Sequence, residues 1–210
     1  MIGLDTMNTY QNEQFEALMQ VRRQLTRMAA SSKAELEKEI RPYLEFRRRL
    51  QAFLGENLGN FCTRACFESQ TSACCSKDGI ITFWADVVIN VISSSDGDLA
   101  TLAKAIENPA FPNKCIYLST EGCLWKMRPL VCAMFVCDQV QHDVIDRSTE
   151  LKAAWERHRK SAKSFRWPDR PVLFDRLESV FINLGCQSPL MYIHNSPGLL
   201  RIKQKAGLTD

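Results

Sequence analysis

The sequence lacks the features that mark the common enzyme and membrane classes. Only three histidines occur in 210 residues, which excludes a histidine-rich metal site. There is no glycine-rich phosphate loop, no Gly-x-Ser-x-Gly elbow and no telling pair of carboxylates. The most apolar stretch, residues 79–92, is short and contains Asp86 and Asn90. Because no basic stretch followed by an apolar run opens the chain either, we expect no signal peptide, no membrane span and a cytoplasmic location.

Charge is nearly balanced, whereas cysteine is abundant. The net charge of +3 is too small to indicate a nucleic-acid partner by itself. Eight of the nine cysteines fall between residues 61 and 137, in two groups of four. The first group is Cys62, Cys66, Cys74 and Cys75, and the second is Cys115, Cys123, Cys132 and Cys137. In a reducing compartment such a density favours metal binding over disulfides, because soft thiolates bind zinc and iron–sulfur clusters.

Hydrophobic periodicity predicts a mainly α fold with short β-strands. Residues 12–30 read as an amphipathic helix, and Ser32 with Glu35 has the spacing of a capping box that opens a second helix ending at Gly55. We expect the arginines at 47–49 on that helix to form a solvated face. Helices are also predicted at 85–92 and 96–107, hairpin-like segments at 115–118 and 123–125, and a short helix at 130–136.

Further helices are predicted after residue 146, the first of them with a basic face at 157–166. The predicted organisation is an N-terminal helical hairpin at 1–56, a small cysteine-rich metal-binding core at 57–146, and C-terminal helices at 147–210 that pack on the core. Cys186 lies outside both cysteine groups, after Gly185, and is predicted to be an ordinary thiol.

The ordered set of cysteines resembles the YkgJ-like cysteine-cluster family, described as a zinc- or iron-chelating domain. The resemblance covers about residues 60–140, where a CxxxC pair, a CysCys pair, a helix with Asp86, a Cys-x7-Cys pair and an RPxxCxxFxC motif follow one another. The last motif is Arg128, Pro129, Cys132, Phe135 and Cys137. By this resemblance the metal ligands are drawn from Cys62, Cys66, Cys74, Cys75, Cys115, Cys123, Cys132 and Cys137.

A site of four thiolates around zinc or a [4Fe–4S] core carries a net charge of about −2, and its burial requires N–H donors or nearby cations. Arg128 is placed to supply such a cation. One tetrahedral zinc or one cubane takes four cysteines, so the eight can form two centres, one centre with spare thiols, or a purely structural set. Cys74 and Cys75 are adjacent, and because adjacent side chains normally point in different directions, they favour two centres over one. The absence of a CxxC knuckle and the long gaps favour an iron–sulfur cluster over zinc.

Three functions are compatible with these patterns. The first is a cytosolic metalloprotein in which an iron–sulfur cluster or zinc organises a small core. The second is a cluster-dependent protein-modifying enzyme, because some proteins with a similar cysteine pattern are flagellin lysine methylases. The third is an RNA- or protein-binding module that uses the basic faces at 47–49 and 157–166. No cosubstrate motif supports the enzyme, no membrane partner is expected, and the pattern names no substrate.

Overall fold

The computed structural model describes residues 7–68, 75, 81–167, 170–205 and 207. Helices dominate these residues, and the described sheet is a single hairpin of two short strands. The predicted mainly α class with short β-strands is therefore confirmed. Of the predicted metal ligands, Cys74 lies outside the described residues.

Four longer helices form the first half of the described chain. They are α1 (Thr9–Arg27), α2 (Ala30–Cys62), α3 (Trp84–Ser93) and α4 (Asp96–Glu107). The bounds of α1, α3 and α4 agree with the predicted ranges to within three residues. Side-chain caps explain where two of them begin: Asn8 and Gln11 form a capping box at α1, and Ser95 and Asp98 form another at α4.

The predicted bounds of α2 are wrong at both ends. Its N-cap is Ala29, which makes no side-chain cap, so Ser32 lies inside the helix. The helix also runs through the predicted stop at Gly55 and continues into a π-helical turn, Thr63–Glu68. A glycine inside a helix costs only about 1 kcal/mol relative to alanine. Leu58, three residues further on, is buried, and its packing offsets that cost.

The second half of the chain begins with the hairpin and continues as helices. Its elements are β1 (Leu118–Ser119), β2 (Gly122–Cys123), α5 (Leu130–Ala133), α6 (Asp138–Val140), α7 (Thr149–Arg166), α8 (Leu173–Asn183), α9 (Tyr192–Asn195) and α10 (Pro197–Lys205). In the hairpin Leu118 pairs with Cys123 and Ser119 with Gly122. Gly122 has φ 112°, a conformation that glycine adopts without strain. The predicted hairpin exists, but its strands are shorter and closer together in sequence.

The apolar core is built around α3. Trp84, Val88 and Ile89 on this helix are fully buried. Helix α1 packs against α3 and α4, while α8 covers another side of α3 and in turn contacts α7 and α9. The Trp84 ring meets the Phe181 ring edge-on at 5.6 Å, which joins α3 to α8. No helix in the described ranges has the length and apolar character needed to cross a bilayer.

Candidate metal centre

The seven described cysteines of the two groups occupy different parts of the fold. Cys62 is exposed at the end of α2, and Cys66 is half-buried in the π-helical turn that follows. Cys115 is buried just before β1, Cys123 is exposed on β2, and Cys132 is half-buried on α5. The remaining two, Cys75 and Cys137, are half-buried. We call residues 115–137, which carry four of these cysteines, the cysteine segment.

Three of the thiols in the cysteine segment share one neighbourhood. The pKa of the Cys115 thiol is raised to about 12, mainly by burial and to a smaller extent by the charges of Cys123 and Cys132. The backbone N–H groups of Tyr117 and Leu118 oppose this rise by hydrogen bonding. A thiol in such a place becomes a thiolate only when a cation compensates its charge, as a metal does.

Cys75 joins this neighbourhood through its backbone. Its carbonyl accepts the N–H of Cys115 at an N···O distance of 2.9 Å. The sequence assigns Cys75 to the first cysteine group, yet this bond ties it to the second. The expectation that Cys74 and Cys75 have different destinations stays a prediction, because Cys74 lies outside the described residues.

A tight single-ion site is absent from the part of the chain that the structure describes. There, no three side chains among His, Cys, Asp and Glu lie close enough together to hold a metal ion. Within the cysteine segment, Cys123 and Cys132 act electrostatically on the Cys115 thiol, and the backbone N–H groups of Tyr117 and Leu118 lie near it.

Two polar side chains of α3 hold the cysteine segment against the core. The Asp86 carboxylate accepts the N–H of Leu130 at 2.9 Å, and the Asn90 amide oxygen accepts the N–H of Met127 at 3.0 Å. Asp86 and Asn90 are four residues apart, so both project from one face of the helix. They bracket the Arg128–Pro129 pair and fix the start of α5, which carries Cys132.

Asp86 is a buried carboxylate with cations near it. Burial raises its pKa from the ordinary 3.8 to about 6, while hydrogen bonds from Leu130 and Phe83 and the charges of Arg47 and Arg166 pull it down. Arg47 is itself only 6% exposed and donates to the Tyr43 hydroxyl at 2.7 Å. The predicted solvated face at 47–49 is therefore wrong for Arg47, because its side chain is buried and bonded to Tyr43, one turn earlier on the same helix.

The rest of the basic surface is partly compensated. Arg48 and Arg49 both form ion pairs with Glu45, at 2.8 and 3.3 Å. On α7, Arg157, Lys160 and Lys163 are exposed, as predicted for a basic face. Exposed charges of this kind are also the ordinary surface of a soluble helix, and nothing in their arrangement selects a polyanion.

Arg128, the predicted compensating cation, is half-buried. It forms no hydrogen bond or ion pair with another residue in the described ranges. The ordinary alternative for such an arginine is a pair with a surface carboxylate, and no such pair is seen among the described residues. The Arg128 guanidinium group therefore has no structural partner among the described residues.

A buried donor of the cysteine segment also lacks a partner. The indole N–H of Trp125 is buried without a hydrogen-bond partner among the described residues, whereas the buried hydroxyls of Tyr10 and Thr82 lie close enough to interact with each other. Trp125 packs edge-on against Tyr117 with ring centroids 5.1 Å apart. A buried donor without a partner destabilises a fold by about 1–3 kcal/mol, so such groups commonly mark a missing acceptor.

A second polar constellation was missed by the sequence analysis. Glu178 on α8 is fully buried and accepts from His194 Nδ1 at 2.9 Å and from the backbone N–H groups of Ile193 and His194. Ser179 Oγ lies 3.3 Å from His194 Nε2, but the Ser179 hydroxyl donates to the Asp175 carbonyl at 2.9 Å. Because that proton is already engaged, the arrangement locks α9 onto α8 and does not activate a nucleophile.

Cys186, predicted to be an ordinary thiol, is buried beside Gln24 on α1. Burial raises the pKa of this thiol. It is thus a control position for the cysteines of the cysteine segment.

In comparisons with known proteins, no family model, no curated protein and no solved structure matches the chain.

Proposed function

We propose that this protein binds a thiolate-coordinated metal centre at the cysteine segment, with Cys115, Cys123 and Cys132 as ligands and Cys75 as the nearest candidate for the fourth. The proposal is supported by backbone geometry: the Cys115 N–H donates to the Cys75 carbonyl at 2.9 Å, and the β1–β2 hairpin pairs Cys123 with Leu118, three residues after Cys115. Cys123 and Cys132 also act electrostatically on the Cys115 thiol. Hydrophobic packing alone does not require cysteine at three such positions, one of which is exposed on β2.

An iron–sulfur cluster suits this arrangement better than a single zinc ion. Zinc draws its ligands into one compact tetrahedron, whereas the inorganic core of a cluster holds its cysteines further apart. The sequence favours the same assignment, because it has no CxxC knuckle and has long gaps between its cysteines. The N–H groups that face Cys115 also fit, because hydrogen bonds to sulfur tune such clusters.

Such a centre supplies either electron transfer or a structural anchor for the cysteine segment. The structural role is supported by the small amount of regular structure in that segment, where strands of two residues and a helix of four have little to hold them. The family resemblance points to the same metal chemistry. Cys62, Cys66 and Cys137 remain candidates for a second centre, together with Cys74.

Anaerobic purification followed by metal and acid-labile sulfide analysis tests the proposal. We expect a brown protein whose visible absorption bleaches with dithionite. A colourless protein with stoichiometric zinc and no sulfide would retain the metal centre but reject the iron–sulfur assignment. A protein with neither metal nor sulfide would reject the proposal itself.

Matched cysteine variants locate the centre. Cys132→Ser should lose most of the metal, because it removes a ligand at the convergence point. Cys186→Ser makes the same chemical change at a buried thiol that lies beside Gln24, and it should keep the metal content of the wild type. Equal loss in both variants would show that metal content follows general folding, not ligation. The metal content of the Cys66→Ser variant then shows whether the first cysteine group holds a separate centre.

A further inference from the structure

His194 on α9 lies between two carboxylates of α8. Its Nδ1 atom is 2.9 Å from Glu178 Oε2, and its Nε2 atom is 3.6 Å from Asp175 Oδ1. The Nε2 atom also lies 3.3 Å from Ser179 Oγ. The Asp175 side chain is only 14% exposed and that of Glu178 is fully buried, so salt screens these contacts little. Each ring nitrogen of His194 therefore faces oxygen atoms in a partly dry environment.

The oxygen beside Nδ1 is an acceptor. Glu178 Oε2 also accepts the backbone N–H of His194 at 3.1 Å, while Glu178 Oε1 accepts that of Ile193 at 3.4 Å. A carboxylate whose oxygens are engaged in this way presents only lone pairs to the ring. Nδ1 therefore carries a proton and donates it to Glu178.

The oxygens beside Nε2 are acceptors as well. The Ser179 hydroxyl donates its proton to the backbone carbonyl of Asp175 at 2.9 Å, so Ser179 Oγ faces Nε2 with its lone pairs. The ionised carboxylate of Asp175 has no proton to donate either. These contacts require a proton on Nε2, and an imidazole with protons on both nitrogens is positively charged.

The surroundings of His194 leave the two carboxylates as its charged neighbours. Among the described residues, Asp175 and Glu178 are the groups within ion-pair distance of its ring. On α10, which contacts α9, Arg201 and Lys205 are exposed. The other titratable side chain of α9 is Tyr192, and burial raises the pKa of its hydroxyl, so it stays neutral at physiological pH.

We infer that His194 is a pH-sensitive switch for the attachment of α9: the doubly protonated ring holds α9 on α8, and loss of the Nε2 proton weakens this attachment. The lone pair of a deprotonated Nε2 faces the Asp175 carboxylate, which no longer attracts it. The Ser179 hydroxyl can turn to donate to Nε2 only by giving up its bond to the Asp175 carbonyl. Histidine is the side chain whose charge ordinarily changes between about pH 5 and 8, so the switch operates near neutrality.

The attachment loosens at high pH but is not lost. The ring keeps its Nδ1 bond to Glu178, and Ile193 remains buried in the core. Because α10 begins two residues after α9 ends and contacts it, the loosening extends to the C-terminal helix. At acidic pH Glu178 becomes protonated, since burial raises its pKa, and the attachment weakens again. It is therefore strongest between these two protonation steps. The switch does not involve the cysteine segment and is independent of the proposed metal centre.

NMR spectroscopy of the full-length wild type, labelled with ¹⁵N at histidine, tests the inference without any substitution. We expect both ring nitrogens of His194 to be protonated at pH 6 and Nε2 to lose its proton as the pH is raised. Hydrogen exchange of the α9 amides, corrected for the pH dependence of an unfolded peptide, should become about tenfold faster over the same range. An unprotonated Nε2 at pH 6 would overturn the inference, and so would α9 exchange that does not follow the titration of His194.

Asp175→Asn identifies the partner that the proton serves. It keeps the size of the side chain but removes the charge beside Nε2, so the change in α9 exchange with pH should become smaller. His158→Gln is the control, because it removes a half-buried histidine on α7 and should keep the wild-type pH dependence. The same pH dependence in Asp175→Asn as in the wild type, or its loss in His158→Gln, would contradict the assignment of the switch to His194 and Asp175.

Discussion

The contact between α8 and α9 and the cysteine segment are two parts of one molecule that are stabilised in different ways. At the first, a fully buried glutamate and a histidine fix one helix on another within a continuous apolar core. In the second, strands of two residues and a helix of four are tied to α3 by the side chains of Asp86 and Asn90. The first part is complete with the protein's own groups. The second retains a buried donor without a partner among the described residues, the indole N–H of Trp125.

The comparison separates stability from ligand binding. Changes at the α8–α9 contact should reduce the free energy of unfolding whether or not metal is present. Changes in the cysteine segment should act mainly through metal retention. The predictions that follow test this division, in order of decreasing effect on stability.

His194→Ala should have the largest effect. It leaves the fully buried Glu178 side chain without the imidazole that hydrogen-bonds to it, and an unsatisfied buried polar group costs about 1–3 kcal/mol, or more when it is charged. The loss should be smaller at acidic pH, because burial raises the pKa of Glu178 and a protonated carboxyl is less costly to leave unpaired than a carboxylate. Denaturant unfolding at two pH values measures both effects.

Ser179→Ala is the control for that measurement. Its hydroxyl also approaches His194, at 3.3 Å, but carries no charge. Its removal should change the free energy of unfolding by less than about 1 kcal/mol. If His194→Ala were no more destabilising than Ser179→Ala, the Glu178–His194 pair would not be the element that fixes α9.

Asp86 on α3 holds the cysteine segment against the core through Leu130, and its contribution to stability should depend on pH. The folded state raises the pKa of Asp86 from 3.8 to about 6, so the folded protein binds this proton more tightly than the unfolded chain does. The contribution of Asp86 to stability is therefore greatest below pH 4 and falls as the pH rises to about 6. A difference of this size corresponds to about 3 kcal/mol at most.

Asp86→Asn removes this titration while keeping the size of the side chain. Since other groups also titrate, the quantity to follow is the difference in the free energy of unfolding between the variant and the wild type. That difference should move in favour of the variant between pH 4 and pH 7. A difference that stays constant over this range would contradict the raised pKa. Leu130 can still donate to the asparagine oxygen, so the start of α5 is preserved.

Sequence periodicity was sufficient for α1, α3 and α4, because their apolar faces and their starts are encoded locally. It failed for α2, where Gly55 resembled a stop but the buried Leu58 holds the helix together. Arg47 was assigned to the surface because neighbouring arginines suggested a solvated run. Arg47 is buried and donates to the Tyr43 hydroxyl on the same helix. Its charge also lowers the pKa of Asp86, which lies 39 positions away in the sequence, and no local pattern reports that interaction.

The candidate site was only partly predictable from the sequence. The cysteines were evident from their density, and Asp86 and Asn90 were visible as polar interruptions of an apolar stretch, although their i, i+4 spacing was not interpreted as an anchor. The contact between α1 and the cysteine segment was not predictable, because Gln14 and Tyr117, which form it, lie 103 positions apart in the sequence. The Glu178–His194 pair was missed for the same reason, since the two lie on separate helices and share no motif.

Arg128→Met should have the smallest effect on stability and a clear effect on the metal. Arg128 forms no ion pair within the described residues, so its replacement should change the free energy of unfolding of the metal-free protein by less than about 0.5 kcal/mol. If its charge compensates the thiolates, metal release to a chelator should be about 10–100-fold faster, because the ligands remain but the negative charge is less stabilised. Lys126→Met removes an exposed charge two residues away and should leave the release rate unchanged. Equal release rates in both variants and the wild type would remove Arg128 from the site and leave backbone N–H groups as the stabilising donors.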